Sequence, residues 1–161
     1  MGANSGSTGV RVVSADDAFG AFVRDAEVRL RRAFVAAYGT DRAAEATAEA
    51  LAWAWEHRDR LSSLENPVGY LYRVGQSRTR GRRRPLLPAP EVLGVPDIEP
   101  GLIPAVMALP ARQRAVVWLV HACGWRHTEV AEALGISASA VATHSDRGLS
   151  ALRRAIGGAS S

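Results

Sequence analysis

One stretch of sequence decides the fold of the C-terminal half: Leu109-Pro-Ala-Arg-Gln-Arg-Ala-Val-Val-Trp-Leu-Val120, then Gly124-Trp-Arg-His-Thr-Glu-Val-Ala-Glu-Ala-Leu-Gly-Ile-Ser137 and Ala138-Ser-Ala-Val-Ala-Thr-His-Ser-Asp-Arg-Gly-Leu149. Thr128 is placed to cap a short helix, Gly135 supplies the positive φ that ends it, and Ser137 caps the next helix. In that longer helix, small and apolar residues recur with helical spacing from Val141 onward and leave a polar face opposite. The pattern predicts a helix-turn-helix. Such a unit suits DNA binding, because the major groove admits one α-helix.

A purely structural helical bundle is the alternative, because any bundle needs caps, a glycine stop and an apolar stripe. The order of the elements favours DNA binding. A short helix, a tight turn, a longer helix and a nearby arginine pair at Arg153 and Arg154 occur together in few other modules.

The rest of the chain also has the pattern of helices. Ser14 and Asp17 resemble a capping box for a helix that runs to about Tyr38 and ends at Gly39. A second, Ala-rich helix is predicted from about Thr40 to Arg60. A third is capped by Asn66, has Pro67 at its first position and continues toward Arg80. No segment alternates polar and apolar residues as a strand would, so the predicted fold class is all-α.

Proline and charge divide the chain into parts. Six prolines fall within residues 85–104, which predicts an extended linker. We therefore expect a disordered tail over 1–14, a helical bundle over 15–84, the Pro-rich linker over 85–104, a helix-turn-helix bundle over 105–156 and a short tail over 157–161. Residues 66–84 carry six arginines and no acid, which is hard to solvate without a polyanion.

Composition excludes several classes of protein. All 20 basic residues are arginine, the net charge is +4, and Cys123 is the single cysteine, so no disulfide forms within the chain. No apolar run approaches the length that a membrane span needs, and the first residues lack a signal-peptide core. We expect a cytoplasmic protein with no membrane insertion.

The run from Leu109 to Arg154 resembles region four of the extracytoplasmic-function (group IV) RNA polymerase sigma factors, of the actinobacterial type. The family pattern is Leu-Pro-x-x-x-Arg-x-Val, then Glu-[Ile/Val]-Ala-x-x-Leu-Gly-x-Ser, then a Val and an Arg in the recognition helix. The resemblance implies that this module holds the promoter −35 element and the polymerase β flap. The residues that we expect at the −35 element are Arg126, Thr128, Ser139, Ala142, Thr143, His144, Arg147 and Arg153. Ala142 and Asp146 stand where many relatives carry a basic residue, which favours a weak −35 contact or one positioned by the arginines around it; Asp146 also has the option of pairing with an arginine.

Residues Ala44 to Trp55 resemble the sigma region-two helix that docks on the β′ coiled coil of the polymerase. Its predicted polymerase-binding residues are Glu45, Glu49, Ala52 and Trp53. The next helix resembles the one that melts the −10 element, a task that needs cations for the phosphates and a platform for an unstacked base. The residues predicted for this task are Asn66, Tyr70, Tyr72, Arg73, Gln76, Arg78 and Arg80. Alternatively, Tyr70 is core and the arginine run is a solvated helix end.

The expected function is that of a sigma factor whose partners are core RNA polymerase, promoter DNA and an anti-sigma factor. Acids of the linker, Glu91, Asp97 and Glu99, would then mimic nucleic acid in the polymerase cleft. A stand-alone helix-turn-helix regulator and a sigma-like polymerase modulator are the alternatives. His121, Cys123 and His127 invite a metal interpretation, but no second cysteine pair accompanies them, and we expect no metal and no cofactor. No catalytic motif is present, so an enzyme is not expected.

Overall fold

The computed structural model describes residues 13–79 and 101–158. Within these residues the fold is all-α, as predicted, and contains no strand. The helices are α1 (Ala15–Tyr38), α2 (Thr40–Glu56), α3 (Arg58–Ser62), α4 (Pro67–Arg78), α5 (Leu102–Ala108), α6 (Ala111–Val117), α7 (His127–Leu134) and α8 (Ala138–Gly157). A π-helical turn, Trp118–Ala122, continues α6. Most of the predicted tails and linker, with Glu91, Asp97, Glu99, Arg80 and Arg82–Arg84, lies outside the described residues.

Helix α1 begins and ends where the sequence predicts. The Ser14 hydroxyl accepts a hydrogen bond from the backbone N–H of Asp17 at 3.1 Å. Gly39, with φ of 81°, ends the helix, and its N–H donates to the Val35 carbonyl at 2.9 Å. Both signals are local, which is why they are visible in the sequence.

The second predicted helix is too long. α2 ends at Glu56, and His57 takes a non-helical conformation (φ −126°, ψ 40°) before the short α3. The imidazole of His57 stacks on the Trp53 ring, and its Nδ1 lies 3.0 Å from the Trp53 carbonyl oxygen. The His57 ring therefore packs on the last turn of α2, at the point where the chain breaks between α2 and α3.

One predicted cap, Thr128, is wrong, and another, Asn66, occupies the predicted N-cap position without its side-chain hydrogen bond. Pro67 does open α4, but the Asn66 side chain makes no capping hydrogen bond, and α4 ends at Arg78 rather than Arg80. α7 starts at His127 with Arg126 as its N-cap, so Thr128 lies inside the first turn. The N–H of Arg126 donates to the Glu129 carboxylate at 2.9 Å. This hydrogen bond pairs the backbone N–H of the N-cap residue, and Thr128 takes no part in it.

The predicted turn of the C-terminal half is confirmed. Gly135 has φ of 64°, the left-handed conformation that ends α7. The Ser137 hydroxyl accepts from the N–H of Ala140 at 3.1 Å and so caps α8. α5 begins at Leu102, inside the predicted linker, and carries Pro104 in its first turn, where a proline costs no helical hydrogen bond.

The larger hydrophobic core of the described residues runs through both halves of the chain. It includes Leu30, Phe34 and Leu71 from the N-terminal half together with Val116 and Val141 from the C-terminal half. A smaller cluster holds α5 and α6 against α8, with Val106, Leu109, Val117 and Leu152 as its buried members. The helices α1, α4 and α7 meet at the junction of the two halves. Among the described residues, none of the helices combines the length and apolar character that crossing a bilayer requires.

Candidate nucleic-acid interface

Helix α8 divides cleanly into a buried and an exposed face. Val141 is fully buried, Ser145 is 4% exposed and Leu152 is 7% exposed. The residues on the outer face are Ser139, Thr143, Asp146, Arg147 and Arg153, all of them exposed. The predicted amphipathic pattern is therefore confirmed, and the outward face is polar and cationic.

The packing of Ser145 explains a polar residue in an apolar stripe. Its hydroxyl lies 2.8 Å from Nε2 of His121, in the π-helical turn behind α6. This contact joins α8 to the element that supports it from the inner side. A buried hydroxyl with a partner is tolerated in the core, whereas an unpaired one would be destabilising.

The −35 residues predicted from the sequence fall into two groups. Arg126 and Thr128 are exposed at the start of α7, close along the chain to the turn that leads into α8. Ala142 and His144 are half-buried, so they offer less surface than Ser139 and Thr143 do. The Thr143 hydroxyl donates to the Ser139 carbonyl at 3.0 Å, which leaves its lone pairs to accept from a base edge.

The charges on α8 are free to meet a polyanion. Within residues 13–79 and 101–158, no salt bridge involves Arg147, Arg153 or Arg154. Asp146 likewise forms no salt bridge there, so the alternative that it pairs with a neighbouring arginine is not found. Its negative charge therefore remains on the face that would approach DNA.

Comparison with protein families bears on this helix-turn-helix. Residues 102–152 match the family model described as Sigma-70, region 4. The C-terminal half carries a sigma-70 region 4 domain. A search of curated proteins finds no match. The match covers α5 to α7 and most of α8, and the N-terminal half lies outside it.

The cysteine and two histidines of the region 4 domain that invite a metal interpretation differ in environment. Burial raises the pKa of the Cys123 thiol to about 12, against the opposing effect of the Arg32 and Arg29 charges. His121 contacts Ser145 and His127 is exposed at the start of α7. In the described part of the chain, no group of three or more histidine, cysteine or acidic side chains is arranged to hold a metal ion.

Helix α4 holds the residues predicted for the −10 element, and several of them are engaged. Arg73 Nη1 lies 3.0 Å from Oε1 of Glu132 in the region 4 domain, and Arg78 Nη1 lies 3.4 Å from Oε2 of Glu49. Tyr72 is 5% exposed. Its ring stacks on Phe34 with the centroids 4.7 Å apart. Arg80 lies outside the described residues.

The other members of that set are partly accessible. Asn66, Tyr70 and Gln76 are half-buried, and the Tyr70 ring packs 5.0 Å from Trp53, as the structural alternative for Tyr70 expects. Arg73 and Arg78 keep exposed guanidinium surface, with side-chain exposures of 55% and 39%. The cationic side of α4 is therefore open to solvent, while its aromatic side is mostly covered.

The predicted polymerase-binding set needs one correction. Glu45 and Ala52 are exposed and Glu49 is half-buried, but Trp53 is 7% exposed and belongs to the core. Trp55 is the exposed tryptophan of α2, at 55%, with its ring edge-on to Phe19 at 4.9 Å. Trp53 shares its helix face with the fully buried Ala46 and Ala50, and that phase was the signal in the sequence.

Sequence reasoning missed the most buried charge among the described residues. Glu129 is 2% exposed, and its Oε2 accepts from Arg29 Nη2 at 2.5 Å. Burial would raise the pKa of this carboxyl, but the hydrogen bonds from Arg29 and Arg126 and the Arg29 charge outweigh burial and hold the pKa below its usual value. The spacing of Arg126 and Glu129 is visible in the sequence, whereas Arg29 lies 100 positions away.

Proposed function

We propose that this chain is an extracytoplasmic-function type sigma factor, which binds core RNA polymerase and directs it to promoters by reading the −35 element and melting the −10 element. The observation that carries the proposal is the exposed polar and cationic face of α8 in a sigma-70 region 4 domain. A chain that supplies DNA recognition and contains no catalytic motif fits a factor that lends specificity to a larger enzyme.

At the −35 element, α8 is the recognition helix. Ser139 and Thr143 have hydroxyls suited to base edges, and the methyl of Ala142 suits a thymine methyl. Arg126, Arg147 and Arg153 supply the phosphate contacts that position the helix, supported by Thr128 and His144. Because Asp146 sits on the same face, we expect this interaction to be weak without polymerase.

At the −10 element, α4 and the arginine-rich segment that follows it act on the separated strands. Residues 66–84 hold six arginines and no acid, which suits single-stranded DNA. Arg73, Arg78 and Arg80 neutralise the backbone. Asn66, Tyr70, Tyr72 and Gln76 receive the exposed bases once the aromatic side of α4 is uncovered.

Helix α2 is the proposed docking surface for the β′ coiled coil of the polymerase. Its exposed acids and small residues, Glu45, Glu49 and Ala52, suit a basic partner, and Trp55 adds an exposed aromatic anchor where Trp53 is unavailable. The region 4 domain would contact the β flap, and an anti-sigma factor would compete for these surfaces. The organisation that we propose is a region 2-like module over 15–84 and a region 4 module over 105–156, acting in the cytoplasm.

Run-off transcription tests the proposed function. The purified full chain and core polymerase are incubated with a library of promoter fragments, and transcripts and bound fragments are sequenced. We expect specific transcripts only when both proteins are present, all with a shared pair of upstream motifs. Tight footprints by the chain alone at physiological salt would instead identify a stand-alone regulator, and core binding without any transcript would identify a polymerase modulator.

A further inference from the structure

The N-terminal half and the region 4 domain meet at an unusually close contact between α4 and α7. A Cβ atom added to Gly69 would lie 2.4 Å from the carbonyl oxygen of Glu129 and 2.9 Å from Cβ of Glu132. A Cβ atom essentially never lies this close to a heavy atom outside its own chain neighbourhood, so any residue other than glycine would force the two helices to shift. The two helices therefore touch backbone to backbone at this point.

Charges from both halves close around the same contact. Arg29 of α1 donates to the buried carboxylate of Glu129, and its guanidinium lies 5.6 Å from the ring centroid of Trp125. Trp125 is 2% exposed and meets the Tyr72 ring edge-on at 5.7 Å. The pair formed by Arg73 and Glu132 flanks this cluster on the solvent side.

The contact covers one proposed DNA surface and leaves the other open. Through Trp125 it adds to the burial of Tyr72, which also stacks on Phe34 of its own half, and it ties Arg73 to the region 4 domain, whereas the outer face of α8 stays exposed. α4 packs on α7 and α7 packs on α8, and helices in contact have axes roughly 8–10 Å apart, so α4 and α8 lie within about 20 Å of each other. The −35 and −10 elements are about 25 base pairs apart, which is about 85 Å of duplex at roughly 3.4 Å per base pair. In this packing, α4 and α8 cannot reach both elements together.

We propose that the Arg29–Glu129 ion pair and the Gly69 approach form a latch that holds the free chain closed, and that the latch must open before the chain engages both promoter elements. Opening returns Glu129 and Arg29 to water, so neither charge stays buried without a partner in the open state. Breaking the latch therefore destabilises the closed packing rather than either half. The consequence for promoters depends on the proposed function, but the closed packing itself does not.

The first test removes the cation that the N-terminal half contributes. Arg29→Met keeps the aliphatic stem but leaves Glu129 buried without its long-range partner, which favours the open state. The matched control is Arg31→Met, because Arg31 is exposed on the same helix and the change in net charge is identical. Small-angle X-ray scattering of the full chain should show a larger radius of gyration for Arg29→Met, with the wild-type value for Arg31→Met and an unchanged helical circular dichroism signal for both.

The second test uses sterics and leaves all charges in place. Gly69→Ala inserts a methyl group into the backbone contact between α4 and α7, while alanine is the better helix former and so supports α4 itself. The control is Gly20→Ala in α1, where the added Cβ meets only Arg24 Nη1 at 3.5 Å, an ordinary contact. We expect expansion for Gly69→Ala and none for Gly20→Ala.

The scattering results test whether the latch exists, and they need no DNA or polymerase. If Arg29→Met and Gly69→Ala both keep the wild-type radius of gyration, or if the wild-type chain is already as expanded as they are, the latch is wrong. Binding of a single-stranded −10 oligonucleotide is then measured for each variant. Opened variants should bind at least ~10-fold more tightly, because the competent state is no longer rare. Opened variants that gain no affinity would contradict the proposed role of α4 and leave the latch intact.

Discussion

Trp53 and His57 stack ring on ring at the end of α2, with their centroids 4.4 Å apart and their planes within 9° of parallel. The Trp53 ring also packs 5.0 Å from the Tyr70 ring, so it links α2 to α4. Two residues further along the chain, Trp55 points to solvent. Trp53 therefore belongs to the core, whereas Trp55 belongs to the surface.

Trp53→Ala and Trp55→Ala should have different effects on stability and on polymerase binding. The Trp53 variant loses a buried aromatic side chain, and we expect its free energy of unfolding to fall by about 3–5 kcal/mol. The Trp55 variant should stay within about 1 kcal/mol of wild type but bind core polymerase more weakly, if α2 is the docking surface. Urea titrations and a pull-down with core enzyme measure both effects. Equal destabilisation by the two variants would argue against the packing described for α2.

Val141→Asp tests the inner face of α8. Val141 is fully buried, and an unpaired charge there should destabilise the region 4 domain by several kcal/mol and abolish use of the −35 element. Ala155→Asp, on the exposed side of the same helix, is the control and should unfold near the wild-type temperature. Calorimetry and transcription from a −35-dependent promoter provide the readouts. Retained promoter use by a folded Val141→Asp variant would count against the helix-turn-helix.

The local features of the fold could be predicted from the sequence, and the packing between distant helices could not. Ser14, Gly39, Gly135 and Ser137 act on residues only a few positions away, so their roles follow from spacing alone. Thr128 is not a cap because α7 begins at His127, with Arg126 at the N-cap position and its N–H donated to the Glu129 carboxylate. An arginine at this position is not among the residue types that N-cap preferences favour, so the sequence pattern did not indicate it.

In the candidate site, too, the local features could be predicted and the packing between distant helices could not. The outer face of α8 was predictable, since a helix with one apolar stripe must expose the opposite residues. The contact of α4 with α7 was not, because nothing near Gly69 in the chain shows that Glu129 and Glu132 will lie against it. Trp53 was misassigned from family resemblance, although its phase relative to Ala46 and Ala50 indicates the core.

Glu129 should make the folded state sensitive to acid. Its pKa is held below the usual glutamate value in the folded chain, so its ionised form contributes stability above the unfolded pKa of about 4.3. That contribution disappears as the pH falls through the lower folded value. Unfolding free energies measured from pH 7 to pH 3 should drop more steeply for wild type than for Glu129→Gln. Glu27→Gln, at an exposed position of α1, should follow wild type, and a Glu129→Gln curve parallel to wild type would contradict the assignment.

Replacing Arg78 and Arg80 by Ala should impair strand opening more than promoter binding. Both side chains lie in the segment of residues 66–84, which carries no acid, and removing one arginine from a phosphate of single-stranded DNA lowers the salt slope by about 0.7. In the proposed function, duplex recognition belongs to α8 and not to these arginines, so the closed promoter complex should form at a similar polymerase concentration. Permanganate footprinting then reports unpaired thymines in the bubble, while a gel shift on the same complexes reports binding. Arg31→Ala combined with Arg42→Ala, at exposed positions of α1 and α2, removes the same two positive charges and is the control. A bubble of wild-type extent in the double variant, formed at the wild-type rate, would mean that α4 does not melt the −10 element.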